Sequence, residues 1–366
     1  MIKNWGYLKD YSRLKERILQ AVDKVFSSGR LILGQCVEGF EKAFSQYCGA
    51  KYGIGVNSGT DAIFLSLKAL GIGAGDEVIT VSNTAVPTVA AIRATGAKPV
   101  FVDVQRDTYL MDINQVGERI TSKTRCILPV HLYGHPVEMK TLIDIGKRNN
   151  LYIVEDCAQS HGAEYENRKT GTFGDLGAYS FYPTKPLGAY GDGGMVITDN
   201  QNLARKLKML RMYGMKDRYY SEFDGYNSRL DEVQAAILLV KLSILDEQIK
   251  HRRSIAKRYS DGLKGLDIVL PVVKENCTHS FYLYVIQVER RDELMEFLKK
   301  KDIEARVHFP YPIHLMKAYK DLNYKEGSLP HTEYLAKHIL SLPMSAQITY
   351  DEVDKVVEAI KEFFGR

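Results

Sequence analysis

Short apolar segments alternate with amphipathic helical patterns between residue 52 and about residue 200. The apolar segments read GIGV, EVITV, KPVFVDV, TRCILPVHL, LYIVEDC, AYSFY and MVITD, and the helical ones include DAIFLSLKAL, VPTVAAIRATG and VEMKTLIDIGKRNN. This alternation predicts βαβ units in a mostly parallel sheet that helices cover on both faces. Ligands of such sheets bind at the carboxyl ends of the strands, so the search for chemistry begins there.

The pattern changes in the last third of the chain. A long charged helical stretch, ILDEQIKHRRSIAKRYSDGL, precedes the strand-like segment HSFYLYVIQVE, and the chain closes with the helical pattern DEVDKVVEAIKEFF. We therefore expect an α/β fold with two domains. Residues 1–245 form the large domain with an N-terminal helical arm, and residues 246–366 form a smaller α+β domain.

Composition narrows the class of protein. A chain of 366 residues with 45% hydrophobic residues can bury a large core. Its net charge of +5 is small, and its basic residues are interleaved with 45 acidic ones, which argues against a nucleic-acid partner. Five scattered cysteines without a C-x-x-C pair indicate a reducing compartment. The N-terminus does not resemble a secretory signal and no apolar run approaches ~20 residues, so we expect a cytoplasmic protein without a membrane partner.

Three short stretches carry candidate chemistry at predicted strand ends. Lys185 lies between two prolines in SFYPTKPLGAYGDGG, where a regular helix is disfavoured and the glycines allow a tight turn. Asp156 ends the apolar strand of YIVEDC, and a buried carboxylate needs a cationic partner. NSGTDA, residues 57–62, follows a strand and opens a helix whose first N–H groups can bind a phosphate. The alternative is that Ser58 or Thr60 only caps this helix.

Together these stretches predict a pyridoxal 5′-phosphate site. The cofactor needs a lysine amine for its aldehyde, a carboxylate for its ring nitrogen, and N–H and hydroxyl donors for its phosphate. The required groups are supplied by Lys185, Asp156, the Gly59–Thr60 turn and Ser180. The protonated ring nitrogen is also the cation that Asp156 requires.

The sequence resembles the DegT/DnrJ/EryC1/StrS sugar aminotransferases, which are fold type I pyridoxal-phosphate enzymes. The resemblance extends over GRLILGQCVEGFEKAF, NSGTDA, GDEVITVSNTAVPTVAAIRATGAKPVFVDV, LPVHLYGHP, VEDCAQSHGAEY, GDLGAYSFYPTKPLGAYGDGGMVITD and NSRLDEVQAAIL. It implies a fold type I aminotransferase, a homodimer with shared active sites, and pyridoxamine 5′-phosphate as the second form of the cofactor. It also implies a place in deoxysugar or polysaccharide biosynthesis.

The resemblance assigns roles to individual residues. It implies that Lys185 bonds to the cofactor's aldehyde, that Asp156 contacts the ring nitrogen and that Gln159 faces the ring hydroxyl. It further implies a set of phosphate contacts, in which the last residue belongs to the other subunit: Gly59, Thr60, Ser180 and Asn227. Many members stack an aromatic residue on the ring where this chain has Ala85 in SNTAVPT, so the stacking contact is left unassigned.

The resemblance also implies the substrates. These are an amino acid, expected to be L-glutamate, and a nucleotide-linked keto-deoxysugar. SNTAVPTVAAI and VHFPYPIH resemble the members that aminate at C-3, which favours a dTDP-3-keto-6-deoxyhexose over a 4-keto sugar. The expected sugar contacts are Tyr182, His308 and Tyr311, and the expected pyrophosphate contacts are Lys216 and Arg229. For Arg229, capping of the following helix is the alternative, and a pyridoxal-phosphate-binding regulatory protein without turnover is the competing function.

Two further features suggest other chemistry at first sight. His131 and His135 have i, i+4 spacing, but they lie in a loop with Gly and Pro and lack the glutamate of a zinc protease motif, so no metal site is expected. Cys157 follows Asp156 and is expected to be a small buried hydrophobe rather than a nucleophile.

Overall fold

The computed structural model describes residues 1–365, in which helices and strands alternate over the first two hundred residues. The helices are α1 (Tyr7–Ser28), α2 (Gln35–Cys48), α3 (Gly59–Ala69), α4 (Val86–Ala94), α5 (Met139–Asn149), α6 (Gln201–Leu210), α7 (Glu232–Leu242), α8 (Leu245–Leu263), α9 (Arg291–Lys300), α10 (Pro330–His338) and α11 (Tyr350–Phe363). Short 3₁₀ helices span Ile113–Gln115, Gly117–Arg119, Leu132–Gly134, Ile313–Leu315 and Lys317–Leu322. The strands are β1 (Tyr52–Val56), β2 (Glu77–Val81), β3 (Lys98–Val102), β4 (Thr124–Ile127), β5 (Tyr152–Asp156), β6 (Glu164–Tyr165), β7 (Arg168–Lys169), β8 (Leu176–Ser180), β9 (Gly194–Thr198), β10 (Met215–Asp217), β11 (Tyr220–Ser221), β12 (Cys277–Thr278), β13 (Tyr284–Gln287) and β14 (Ile339–Leu342).

Seven strands form the central sheet in the order β1-β9-β8-β5-β4-β2-β3. Strand β9 is antiparallel to both of its neighbours, whereas the other pairs are parallel, so six of the seven strands point the same way. This confirms the predicted α/β fold with a mostly parallel sheet. The carboxyl ends of β1, β2, β5 and β8 consequently lie along one edge of the sheet.

The central strands are buried on both faces. All residues of β2, β8 and β9 are buried, which explains why these strands read as continuous apolar runs instead of alternating patterns. The N-terminal arm, α1, packs Leu14 and Ile18 against Ile237 of α7. A buried ion pair of 3.1 Å between Lys241 Nζ and an Asp10 carboxylate oxygen adds a second link between these two helices.

A second apolar cluster lies in the C-terminal third of the chain. It combines residues of α8, α9 and α11 with the antiparallel pair β13–β14, for example Tyr259, Leu298, Leu340 and Val356. The proposed domain boundary at residue 245 coincides with the start of α8, and the division itself stays a prediction. In the described part of the chain no helix combines the length and the apolar character that crossing a membrane requires.

Candidate active site

A cavity of about 270 Å³ opens at the edge where β1, β5 and β8 end. Its walls come from the turn between β1 and α3, the start of α4, the end of β5 and the segment after β8. Seven of the residues predicted from the sequence line this one cavity: Gly59, Thr60, Asp156, Gln159, Ser180, Tyr182 and Lys185. Segments separated by more than a hundred residues therefore converge as the parallel strand order requires.

The N-terminus of α3 provides donors for an anion at one end of the cavity. The Ser58 hydroxyl accepts a hydrogen bond of 3.1 Å from the Asp61 N–H, so the predicted helix cap is present. The cap leaves the N–H groups of Gly59 and Thr60 without an acceptor among residues 1–365. A Cβ on Gly59 would lie 2.5 Å from the Cβ of Ser180, so only glycine allows this approach. Capping and anion binding are thus compatible at this turn.

Asp156 is a buried carboxylate held by two donors. Its Oδ1 accepts from the Ala158 N–H at 3.0 Å, and its Oδ2 accepts from the Thr88 hydroxyl at 2.8 Å. Burial raises the pKa of Asp156, while these hydrogen bonds and the Lys185 charge act in the opposite direction. It forms no ion pair within the described residues, so a cationic group in the cavity would satisfy it.

Gln159 and Lys185 offer further groups to the cavity. The Gln159 Oε1 accepts from the Tyr133 N–H at 2.8 Å, which leaves the amide NH₂ free to donate to an acceptor. The Lys185 N–H donates to the Tyr182 carbonyl at 2.9 Å, which forms a turn around the half-buried lysine. The neighbouring Gly188 packs against the Pro183 carbonyl so closely that a Cβ does not fit. The prolines and glycines therefore hold the backbone in a tight turn beside the cavity.

These groups fit the pyridoxal phosphate that the sequence predicts. The free N–H groups of α3 with the Ser180 hydroxyl suit a phosphate, and the Gln159 amide suits a ring hydroxyl. The unpaired Asp156 carboxylate suits a protonated ring nitrogen, and the amine of Lys185 suits an aldehyde. No aromatic residue stands at the position where ring stacking is common, since Thr84, Ala85 and Pro87 line that side.

Two predicted sugar contacts lie outside the cavity lining. His308 is partly buried, its Nδ1 is 3.0 Å from the Ser341 hydroxyl oxygen, and burial lowers its pKa to about 4. Tyr311 is 70% exposed in the same loop. Neither residue lines the cavity, although the Lys185 charge contributes to the lowered pKa of His308, so their roles stay predictions.

The predicted phosphate and pyrophosphate contacts from residues 216–229 also lie elsewhere. Lys216, in the hairpin of β10 and β11, pairs with Glu222 at 3.1 Å. The Arg229 Nη1 donates to the Met212 sulfur at 3.5 Å, and Arg229 forms no helix-capping ion pair with any of residues 1–365. Asn227 is exposed and its side chain has no hydrogen bond in the described part of the chain. These roles, too, stay predictions.

Sequence reasoning missed three residues at the site. Thr88 was visible in SNTAVPT, but a hydroxyl at a helix start is too common to indicate a contact with Asp156. Tyr282 lies in the apolar pattern HSFYLYVIQVE, yet its ring centroid is 4.7 Å from the Lys185 Nζ. Asp192 of GAYGDGG lines the cavity, and its carboxylate has no partner in residues 1–365.

A buried cluster behind the site contains potential metal ligands, whose atoms lie within 4.8 Å of one another: His131, Glu155 and Cys157. Protein groups already occupy the Glu155 oxygens, because Oε2 is 2.9 Å from the His131 Nε2 and Oε1 accepts from the Phe173 and Gly174 N–H groups. The His131 Nδ1 accepts from the Val137 N–H at 3.0 Å, so the Nε2 carries the proton. The cluster is therefore a hydrogen-bonded support for the end of β5.

Proteins that are similar to this chain in sequence and structure include aminotransferases and a regulatory protein. A transaminase from Micromonospora megalomicea, named dTDP-3-amino-3,4,6-trideoxy-alpha-D-glucose transaminase, is 50% identical over 98% of this chain and 97% of its own. The pleiotropic regulatory protein of Geobacillus stearothermophilus is 45% identical over 97% and 96%. The crystal structure of S. venezuelae DesV in complex with a ketimine intermediate superposes with a TM-score of 0.98 at 43% identity, over 100% of this chain and 99% of that chain. The sequence model of one protein family, the DegT/DnrJ/EryC1/StrS aminotransferases, matches residues 12–361. This chain belongs to the DegT/DnrJ/EryC1/StrS aminotransferase family.

Proposed function

We propose that this aminotransferase, whose cofactor is pyridoxal 5′-phosphate, moves the amino group of an amino acid to the keto group of a nucleotide-linked deoxysugar. The observation that carries the proposal is the single cavity that unites Lys185, Asp156 and the anion-binding turn at Gly59. The 50% identical relative is named for a dTDP-linked 3-amino sugar, which supports a dTDP-3-keto-6-deoxyhexose as the acceptor. L-Glutamate is the expected amino donor, and the free cysteines favour a cytoplasmic location.

We expect different residues around the cavity to bind different groups of the cofactor. Gly59, Thr60 and Ser180 would hold the phosphate, Gln159 would donate to the ring hydroxyl, and Asp156 would favour the protonated ring nitrogen. When bound, pyridoxal phosphate supplies an aldehyde that carries the amino group and a ring that withdraws electrons from the reacting carbon.

Lys185 moves the protons. With its amine free, it removes the proton from the α-carbon of the amino acid, and in the second half of the reaction it delivers a proton to the sugar carbon that receives the amino group. The position of its backbone in a tight turn limits where the amine can reach. The hydrogen bonds from Ala158 and Thr88 favour the ionised form of Asp156 in both steps, against the effect of its burial.

The sugar nucleotide is expected to enter beside Tyr182, which lines the cavity and is 53% exposed. His308 and Tyr311 extend this side toward the sugar hydroxyls. The pyrophosphate would meet Lys216 and Arg229. The ion pair of Lys216 with Glu222 is exposed on both sides, so exchanging Glu222 for a phosphate costs little.

We further propose a homodimer in which Asn227 of one subunit completes the phosphate site of the other. Asn227 does not line the cavity of its own chain and its side chain is free to reach outward. Val86, which lies between the cavity-lining residues Ala85 and Pro87, is 41% exposed. A partner subunit would cover it.

The substrate is tested by a panel of sugar nucleotides. The protein with its cofactor receives L-glutamate and dTDP- or UDP-linked 3-keto or 4-keto hexoses, and the amino sugar and 2-oxoglutarate are measured. We expect the highest kcat/KM with the dTDP-linked 3-keto-6-deoxyhexose. Turnover of 4-keto sugars alone would overturn the position of amination, and no turnover with any sugar nucleotide would favour the regulatory alternative.

Two lysine variants serve as controls in the same assay. Lys185→Ala removes the amine that moves the protons, so kcat should fall by at least about 100-fold. Lys257→Ala removes an exposed lysine that only pairs with Asp261 on α8, and it should retain normal turnover. Normal multiple turnover by Lys185→Ala would contradict the assignment.

A further inference from the structure

Tyr282 contacts Lys185 and its neighbour Thr184. Its ring centroid lies 4.7 Å from the Lys185 Nζ, and its hydroxyl oxygen lies 3.1 Å from the hydroxyl of Thr184. We propose that Tyr282 is a positioning residue that holds the free Lys185 amine beside the cavity while the amine is not bonded to the cofactor. The proposal rests on the proposed role of Lys185.

The position of Tyr282 is itself firmly held. Arg252 of α8 is buried, and its Nη1 donates to the carbonyls of Phe281 and Tyr282, both at 3.3 Å, and of Met344 at 3.0 Å. Burial lowers the pKa of Arg252 to about 10, so the guanidinium is still charged at neutral pH. On the other side the chain passes Gly134, where a Cβ would lie 3.1 Å from the Tyr282 backbone nitrogen. The ring is therefore anchored at its backbone and at its hydroxyl.

The ring is a favourable partner of the amine. No acceptor lies within hydrogen-bond distance of the Lys185 Nζ among residues 1–365. Three titratable groups interact electrostatically with the Lys185 charge: Asp156, which favours it, and His161 and His308, whose pKa values it lowers. Asp192 also lines the cavity. An aromatic ring within about 6 Å attracts an ammonium group through its π-face.

Two consequences distinguish this role from packing. Because the ring attracts the ammonium group and holds it in place, removing the ring should let the Lys185 amine react faster with a small reagent. Because Tyr282 does not line the cavity, its removal should lower kcat and leave KM nearly unchanged.

The first measurement uses the full chain freed of cofactor. The rate of reductive methylation of Lys185 is followed by mass spectrometry from pH 6 to 10, with the exposed Lys257 as internal reference. In Tyr282→Leu, Lys185 should be labelled about two- to thirty-fold faster than in the unchanged protein at neutral pH, because no ring holds the ammonium group. Tyr282→Phe keeps the ring and should label within about two-fold of the unchanged protein.

The second measurement uses the enzyme with its cofactor. Tyr282→Leu should lower kcat by about two- to thirty-fold with KM within about two-fold, and Tyr282→Phe should restore most of kcat. Tyr334→Leu is the matched control, because Tyr334 also faces a cation, Arg106 at 3.6 Å, but lies outside the site. If Tyr282→Leu does not fold, as judged by thermal unfolding, Tyr282→Met replaces it as the ring-free variant.

The outcomes separate this proposal from the proposed function. Unchanged Lys185 labelling in the ring-free variant, or equal effects of the Phe and Leu variants, would overturn the role of the ring. Labelling does not require a sugar substrate, so a wrong substrate class leaves the faster labelling of Lys185 intact. Conversely, normal turnover of the sugar nucleotide together with an unchanged labelling rate rejects the role of Tyr282 alone.

Discussion

Asp156 shows what single residues contribute and which of them the sequence reveals. Its carboxylate only accepts hydrogen bonds when ionised, so the Thr88 hydroxyl must donate to it. Thr84, 3.0 Å from Thr88, must then donate to Thr88. Lys185 and Asp156 could be predicted because few residue types do their chemistry. Thr88 could not, because it lies 68 positions from its partner and a threonine at a helix start has many roles.

Replacing Thr88 by valine tests the support of Asp156. The hydrogen bond from Thr88 lowers the pKa of Asp156 and partly offsets the effect of burial. Its loss in the variant should therefore raise that pKa further. The acid limb of the kcat/KM profile should therefore move to higher pH by about one to two pH units. Thr88→Ser keeps the hydroxyl and should retain most activity.

The matched control lies at the other end of the same helix. Thr95 is buried, and its hydroxyl donates to the Ile92 carbonyl and accepts from the Ala97 N–H, both far from Asp156 in the sequence, so Thr95→Val should leave the pH profile in place. A profile of Thr88→Val that coincides with that of the unchanged enzyme would show that Ala158 alone suffices to keep Asp156 ionised.

Among the structural elements, burial decides what the sequence predicts. The fully buried strands β2, β8 and β9 were visible as apolar runs, and α8 and α11 as long periodic patterns. The direction of β9 was not predictable, since MVITD reads the same in either orientation. Strand β14 was missed because its four residues follow α10 directly and resemble the end of that helix.

The parallel strands also explain why most of the predicted cofactor residues lie in one cavity, whereas most of the predicted substrate residues do not. Asp156 ends β5 opposite Ala178 of β8, two residues before Ser180, so pairing alone brings both to one edge. The proposed substrate residues lie in loops and in the hairpin of β10 and β11, whose strands have three and two exposed or half-buried residues, respectively. No sheet register determines where these segments lie, so the sequence assigned their residues only by resemblance.

The stability of the whole molecule should depend on pH through its buried histidines. Burial lowers the pKa of His135 to about 4, and burial with the Lys185 charge lowers that of His161 to about 3. The unfolded chain binds protons near the ordinary pKa of about 6.5 and the folded chain does not. The free energy of unfolding should therefore be unaffected above pH 7 and fall below pH 6.5, by about 1.4 kcal/mol per pH unit for each such histidine.

His161→Phe tests this at one position. The imidazole has no hydrogen-bond partner among the described residues and lies among Phe44, Tyr179 and Phe181, so phenylalanine suits the site. The variant should lose stability less steeply between pH 6.5 and pH 4.5, as measured by urea unfolding. The slope is the readout, because altered packing shifts the free energy equally at all pH values. An unchanged slope would mean that His161 binds a proton equally well in the folded and the unfolded chain and does not contribute to the pH dependence.

The shared active site is a property of the assembly and is tested by mixing subunits. Lys185→Ala lacks the amine, and Asn227→Asp places a negative charge where the partner's phosphate would lie, so each homodimer should be strongly impaired. In a mixed dimer, one site combines Lys185 from one chain with Asn227 from the other. Random exchange makes half of the dimers mixed, each with one intact site, so about a quarter of the original activity should return. Native mass spectrometry verifies the exchange, and mixed dimers without recovered activity would place Asn227 outside the partner's site.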